Sequence, residues 1–335
     1  MSAAMLVQKK AQAANADRTL RFAFPAMVIA LIIAPAFIYP FFLMQALCLA
    51  LFACAFNLLI GFVGLLSFGH AMFLGSASYV CAHAAKVWGL DPELAICCGV
   101  ACATILGAGA GALAIRSQGI YFAMITVALS QMFYFFSVEA PFTHGEDGIQ
   151  DVPRGKLFGL ISLADPPVLY AFTLGIFCLG FLAIYRTVNS PFGEILKAIR
   201  ENEPRAISLG YRANQYKLAA FTLSAALAGL AGATKAIIVQ GASLSDVAFS
   251  TSGEVVLMTL LGGMGTFFGP VVGAFVVAAM QNYLAQFGEW VTVIQGAIFI
   301  ICVLLFRRGI VGELAAFKMR RVLRDDRDVG LSQKS

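Results

Sequence analysis

The chain has 335 residues, 60% hydrophobic and only 12% charged, with a mean hydropathy of +0.84 and a net charge of +5. A soluble domain carries roughly 25% charged residues, so the polar surface is too small to cover a water-soluble globule. The apolar runs are long and unbroken, which points to an all-α polytopic membrane protein and excludes a barrel of short alternating strands.

The placement of the basic residues says more than their sum. Four lie at Lys9, Lys10, Arg18 and Arg21, one at Arg116, six between Arg186 and Lys217, and eight from Arg307 onward. Lys86, Arg154, Lys156 and Lys235 are the remaining four. If the three large clusters share a side, that side is cytoplasmic. No basic patch is interleaved with aromatics on a soluble domain, so nucleic acid is a poor partner.

Residues 1–21 read as a basic cytoplasmic tail. Span one covers residues 22–39; it holds Pro25 and Pro35 and is followed by no small-residue cleavage site, so it is expected to stay as a span. Span two follows at 41–60, with a tight external turn near Pro40. Residues 61–79, GFVGLLSFGHAMFLGSASY, include Gly64, Gly69 and Gly75 beside Ser67 and His70. They suggest a bent or partly unwound entry to span three, 71–88. Irregular backbone at membrane depth is tolerated where protein or a water-filled cavity covers it, and close packing through small residues is the alternative. Spans four and five are 94–115 and 119–138, and Gln131 in the latter needs a polar partner, either substrate or another helix. Residues 139–165 form an external loop with five acids and two bases, either a receptor surface or a solvated loop.

Span six, 168–185, leads into the longest charged segment between the termini, SPFGEILKAIRENEPRAISLGYRANQYK at 190–217. Ser190 and Pro191 predict a helix start, and Ile195, Leu196 and Ile199 form an apolar stripe. Pro204 predicts that one helix ends and a second begins at 203–204, with Gly210 stopping it. Two short amphipathic helices at a membrane surface exceed what a connector requires, so the segment reads as a docking site for a soluble partner. Span seven is 218–238, and residues 239–253 are polar and external. Span eight begins near Glu254 and runs into GGMGTFFGP, residues 262–270, which holds Gly262, Gly263, Gly265 and Gly269. Spans nine and ten are 271–287 and 291–306, and residues 307–335 form a basic cytoplasmic tail. Ten spans with both termini inside satisfy the charge placement. Spans two to five leave from the outside and seven to ten from the inside, as in inverted-repeat transporters.

The eight cysteines lie in or beside apolar runs without CxxC spacing and read as packing residues. No GxxxxGK[ST] occurs, so the phosphate-cradling loop of an ATPase is missing. No metal-ligand spacing and no nucleophile–base pair is evident.

Five stretches in order, NLLIGFVGLLSFGHAMFLG (57–75), RSQGIYFAMITVALSQMFY (116–134), AIRENEPRAISLG (198–210), LAGLAGA (227–233) and GEVVLMTLLGGMGTFFGPVVGA (253–274), resemble the second permease subunit of branched-chain amino acid ABC importers. The resemblance runs from about residue 57 to 312; it departs at Thr143–Gly148 and at the Ser-Ala-Ser after Gly75. It implies a bacterial inner-membrane subunit working with a second homologous permease, two cytoplasmic ABC ATPases that use ATP and Mg, and an extracytoplasmic substrate-binding protein. No cofactor is expected on this chain. By the same resemblance 190–217 is the ATPase-coupling loop, with Arg200, Glu201, Asn202, Glu203, Arg205 and Gly210 as its candidate residues. A branched-chain zwitterion must then cross a low-dielectric layer, where a bare charge costs on the order of 3 kcal/mol. Backbone N–H groups in the two glycine-rich stretches are candidates for its carboxylate, and Asn57, Ser67, Gln131 and Glu254 for its ammonium. His70 is a further pathway candidate or a packed side chain. Urea, short amides or other amino acids on the same scaffold, or an ATPase-independent channel or carrier, are the competing readings.

Overall fold

The computed structural model describes residues 23–157, 159 and 161–284, with isolated positions from 293 to 309. It is mostly helical. The helices are α1 (Ala23–Ala36), α2 (Pro40–Val63), α3 (His70–Lys86), α4 (Pro92–Ala114), α5 (Ile120–Glu139), α6 (Pro166–Val188), α7 (Pro191–Glu201), α8 (Glu203–Ser208), α9 (Ala213–Val239), α10 (Phe249–Gly262) and α11 (Gly269–Leu284). Among the described residues five of them, α2, α4, α5, α6 and α9, are long and apolar enough to cross a membrane. Expected spans one, eight and nine coincide with shorter apolar helices, α1, α10 and α11. Span three coincides with the 17-residue α3. The N-terminal tail and Cys302 lie outside the described residues, as do most of span ten and all of the C-terminal tail but Gly309; the other seven cysteines are free.

Two compact units are present, residues 1–43 and 44–335. In the first, α1 ends in a tighter turn, Ala34–Ala36, where Pro35 removes a backbone donor. In the second, α3, α4 and α9 pack most closely. Lipid tails are as apolar as leucine, so helices associate in a bilayer through close packing more than through the hydrophobic effect. The run Ser224–Ala233 supplies that closeness. A Cβ placed on Gly232 would collide with the backbone of Leu74, so only hydrogen lets α9 and α3 meet there. Burial separates centre from rim. In α2, 89% of the span is buried and in α9 67%, against 28% in α5 and 39% in α4. Exposed Ile105, Leu113, Met124, Met132 and Phe135 give α4 and α5 an apolar outer face, suited to lipid or a neighbouring subunit.

Helix starts follow local chemistry. Pro92, Pro166 and Pro191 occupy the first helical position, where a missing N–H costs nothing. Widened turns over Leu58–Val63 close α2, and Gly64 ends it in the left-handed region, φ 83°. Residues 64–69 are non-helical, which matches the unwound entry expected before span three. The long loop is folded. It contains two short turns, Pro141–Thr143 and Gly145–Asp147, and a small hairpin, β1 (Lys156–Leu157) with β2 (Ile161–Ser162). Ile149 pairs with Ala242 in an antiparallel bridge, tying this loop to the segment after α9.

Candidate functional site

The α7–α8 segment is built as its sequence suggested. Ser190 Oγ accepts from the Gly193 N–H at 3.4 Å and caps α7. Asn202 Oδ1 accepts from the Arg205 N–H at 3.1 Å and caps α8, so Asn202 is the joint between the two helices. Gly210 adopts φ 91° and ends the turn. Ile199, Ala206 and Ala213 form a small buried cluster, with Ile195 and Tyr216 against it. Ile207 and Leu209 are 55% and 70% exposed.

The four charged side chains Arg200, Glu201, Glu203 and Arg205 divide into two that face outward and two that face the bundle. Glu201 and Arg205 are exposed, but the Arg200 guanidinium donates to the Gly61 carbonyl in the widened turn of α2. Glu203 accepts a 2.6 Å ion pair from buried Lys217 on α9 and a 3.4 Å hydrogen bond from Gln118. Two of the four charges therefore fasten the segment to the bundle.

Both glycine-rich stretches meet at Asn57. Its Oδ1 accepts from the Gly265 N–H at 2.9 Å, and its Nδ2 donates to the Thr266 carbonyl at 2.9 Å. Thr266 Oγ1 donates to the Gly263 carbonyl and accepts from the Gly269 N–H, closing the turn between α10 and α11. In the other stretch Thr126 accepts from the Phe68 N–H, Ser67 from that of Gly69, and Ser252 from that of Ala71. Five N–H groups of the two stretches, those of Phe68, Gly69, Ala71, Gly265 and Gly269, thus donate to side chains, which satisfies them in the interior. His70 is fully buried; its Nε2 lies 2.9 Å from Ser224 Oγ, and its ring meets Phe56 and Phe73 edge-on. Asn57, Ser67 and His70 are interior braces, and Gln131 is half-buried on α5.

Glu254 stands elsewhere. It is half-buried on α10 and, with Gln281 of α11, lines a cavity of about 300 Å³. Leu49 of α2 and Leu74 of α3 form apolar wall, while Lys235 of α9 and Asp246 of the short turn Leu244–Asp246 face the same space. Lys235 Nζ pairs with Asp246 Oδ1, and Ser78 donates to Asp246 Oδ2 at 3.4 Å. A second cavity of about 550 Å³ shares Gln45, Lys235, Ser245 and Asp246 with the first and extends along Asp147 and Asp151 of the long loop. Lys235 was the missed residue. A lone lysine inside an apolar span requires an acid, and that requirement was the available signal. Among the described residues no group of three His, Cys, Asp or Glu side chains could hold a metal ion.

The chain is 27% identical over 281 residues to the high-affinity branched-chain amino acid transport system permease protein LivM of Escherichia coli, and equally to that of Salmonella typhimurium. Each match covers 76% of this chain and 65% of the relative's own length. A shorter similarity, 29% over 138 residues, links it to the autoinducer 2 import system permease protein LsrC of Klebsiella pneumoniae, across 38% of this chain and 39% of that one. No solved structure matches. The family model described as branched-chain amino acid transport system / permease component matches residues 38–303, and the chain belongs to that family.

Proposed function

We propose that this chain is a pathway-forming subunit of an ATP-driven importer of branched-chain amino acids in a bacterial inner membrane. In this reading it crosses the membrane ten times with both termini cytoplasmic, residues 22–306 form the transmembrane domain, and opposed halves work by alternating access. A second homologous permease completes the pathway, two cytoplasmic ATPases hydrolyse Mg-ATP, and an extracytoplasmic binding protein delivers the solute to the 139–165 loop.

The observation that carries the reading is the α7–α8 segment. It presents exposed Ile207 and Leu209 outward while Lys217–Glu203 and Arg200–Gly61 fasten it inward. A helix pair tied to the bundle and apolar on its free face suits a docking lever: motion imposed from outside reaches the widened turn of α2 through Arg200. Asn57 then joins that region to the turn between α10 and α11.

The test is reconstitution of the complex with I207S/L209S and, separately, with Arg200→Gln. The first variant should lose ATPase association, and the second should keep association but lose receptor-stimulated ATP turnover. Wild-type uptake in both would refute the lever. The partial similarity to an autoinducer 2 permease favours a second reading, a non-amino-acid solute on the same scaffold. An uptake panel of leucine, isoleucine, valine, urea and short amides separates the two.

A further inference from the structure

We propose that the cavity between α2, α3, α9, α10 and α11 is a binding site, within the permease itself, for the zwitterion of an aliphatic α-amino acid. Glu254 receives the ammonium, and Lys235 receives the carboxylate. The choice of an amino acid rests on the transport reading above; the site rests on the geometry.

Charge accounting gives the first argument. Lys235 pairs with Asp246 and its charge also reaches Glu254, which lies beyond ion-pair distance and has Gln281 as its other neighbour, so two carboxylates share one ammonium. One negative charge is left facing a partly open cleft between apolar helices. A carboxylate in such a place calls for a positive partner, and a mobile ligand can supply it.

Shape gives the second. The volume, about 300 Å³, lies at the lower end of small-molecule pockets and suits a solute of amino-acid size. Its wall is not uniformly polar: Leu49 and Leu74 offer a place for an aliphatic side chain. An alkylammonium ion would leave the Lys235 side of the cavity unused. A zwitterion uses both, because its carboxylate can share the Lys235 ammonium with Asp246.

Access gives the third. Lys235 and Asp246 line both this cavity and the larger one beside the long loop. A solute entering from the larger cavity meets the ion pair first. Its carboxylate competes with Asp246 for Lys235, so arrival of the ligand loosens a contact that lines both spaces.

The experiment uses the whole transporter complex in nanodiscs, without the binding protein and without nucleotide. Binding of radiolabelled L-leucine is competed by L-leucine, by 4-methylpentanoate, which lacks the amine, and by 3-methylbutylamine, which lacks the acid. Saturable leucine binding is expected, with each half-molecule competing at least about tenfold more weakly, the scale of one lost charged hydrogen bond. Glu254→Gln and the charge-conserving pair K235M/D246N should each weaken leucine binding by at least about tenfold. Absence of binding, unchanged binding in Glu254→Gln, or equal competition by the amine would overturn the proposal. Should Glu254→Gln fail to assemble, Glu254→Asp keeps the charge, and a restored leucine signal supports the assignment while an unaltered one in Glu254→Ala opposes it. Receptor- and ATP-dependent leucine uptake by the wild-type complex is measured in parallel. Intact uptake in the wild type and in Glu254→Gln alike would refute the site and leave the transport reading standing.

Discussion

Replacing Asn57 with Ala removes two hydrogen bonds at once. One partner is the Gly265 N–H and the other the Thr266 carbonyl, each at 2.9 Å. Neither has an obvious substitute in the interior, where Asn57 itself is 3% exposed. A net hydrogen bond is worth about 1 kcal/mol, and a buried group left unmatched costs about 1–3 kcal/mol. Membrane interiors give smaller values, averaging about 0.6 kcal/mol per polar contact. A combined loss of about 2 kcal/mol is the consistent middle, equivalent to about a 30-fold shift in a local opening equilibrium. The assay is amide hydrogen exchange on the peptide spanning 260–270, in detergent or nanodiscs. Exchange at 263–266 should quicken by about that factor, while α4 remains as protected as in the wild type. Unchanged exchange in Asn57→Ala would show that Thr266 alone holds the turn and that the brace between the glycine stretches has no energetic content.

Three further outcomes are expected. Glu203→Gln leaves the buried Lys217 ammonium unmatched and should lower complex stability by about 3 kcal/mol, whereas Lys217→Met should cost about 1 kcal/mol, and a thermal melt ranks them. Gly232→Ala should reduce folded yield several-fold because its methyl meets the Leu74 backbone, while Gly175→Ala, with open space around it, should match the wild type in size-exclusion yield. Thr126→Val removes the acceptor of the Phe68 N–H and should lower the melting temperature, with Thr126→Ser restoring it.

The parts of the fold written in short-range chemistry were legible. Ser190-Pro191, Pro204 and Gly210 marked the limits of α7 and α8 because a cap, a missing N–H and a left-handed residue act within a few positions. The glycines at 61–75 marked an irregular passage for the same reason. What escaped were pairings across the chain. Nothing near Arg200 in the sequence points to Gly61, 139 positions away, nor does anything near Asn57 point to Thr266, 209 positions away. Glu254 stood out as an acid at the edge of an apolar run, yet its importance depends on Lys235 and Asp246, which arrive from another helix and a turn. Nor did the glycine-rich stretches announce that Asn57 of α2, Thr126 of α5, Ser252 of α10 and the connecting Ser67 and Thr266 accept from several of their backbone N–H groups.

The reciprocal bonds between Ile149 and Ala242, at 2.9 and 2.8 Å, with Val152 N–H donating to the Gln240 carbonyl at 3.0 Å, stitch the long loop to the strand-like stretch that carries Asp246 four residues further on. A weight set down on that loop cannot be borne by the loop alone. In the importer proposed above, a binding protein seated on the 139–165 loop would therefore also load the segment that carries Asp246 and its contact with Lys235.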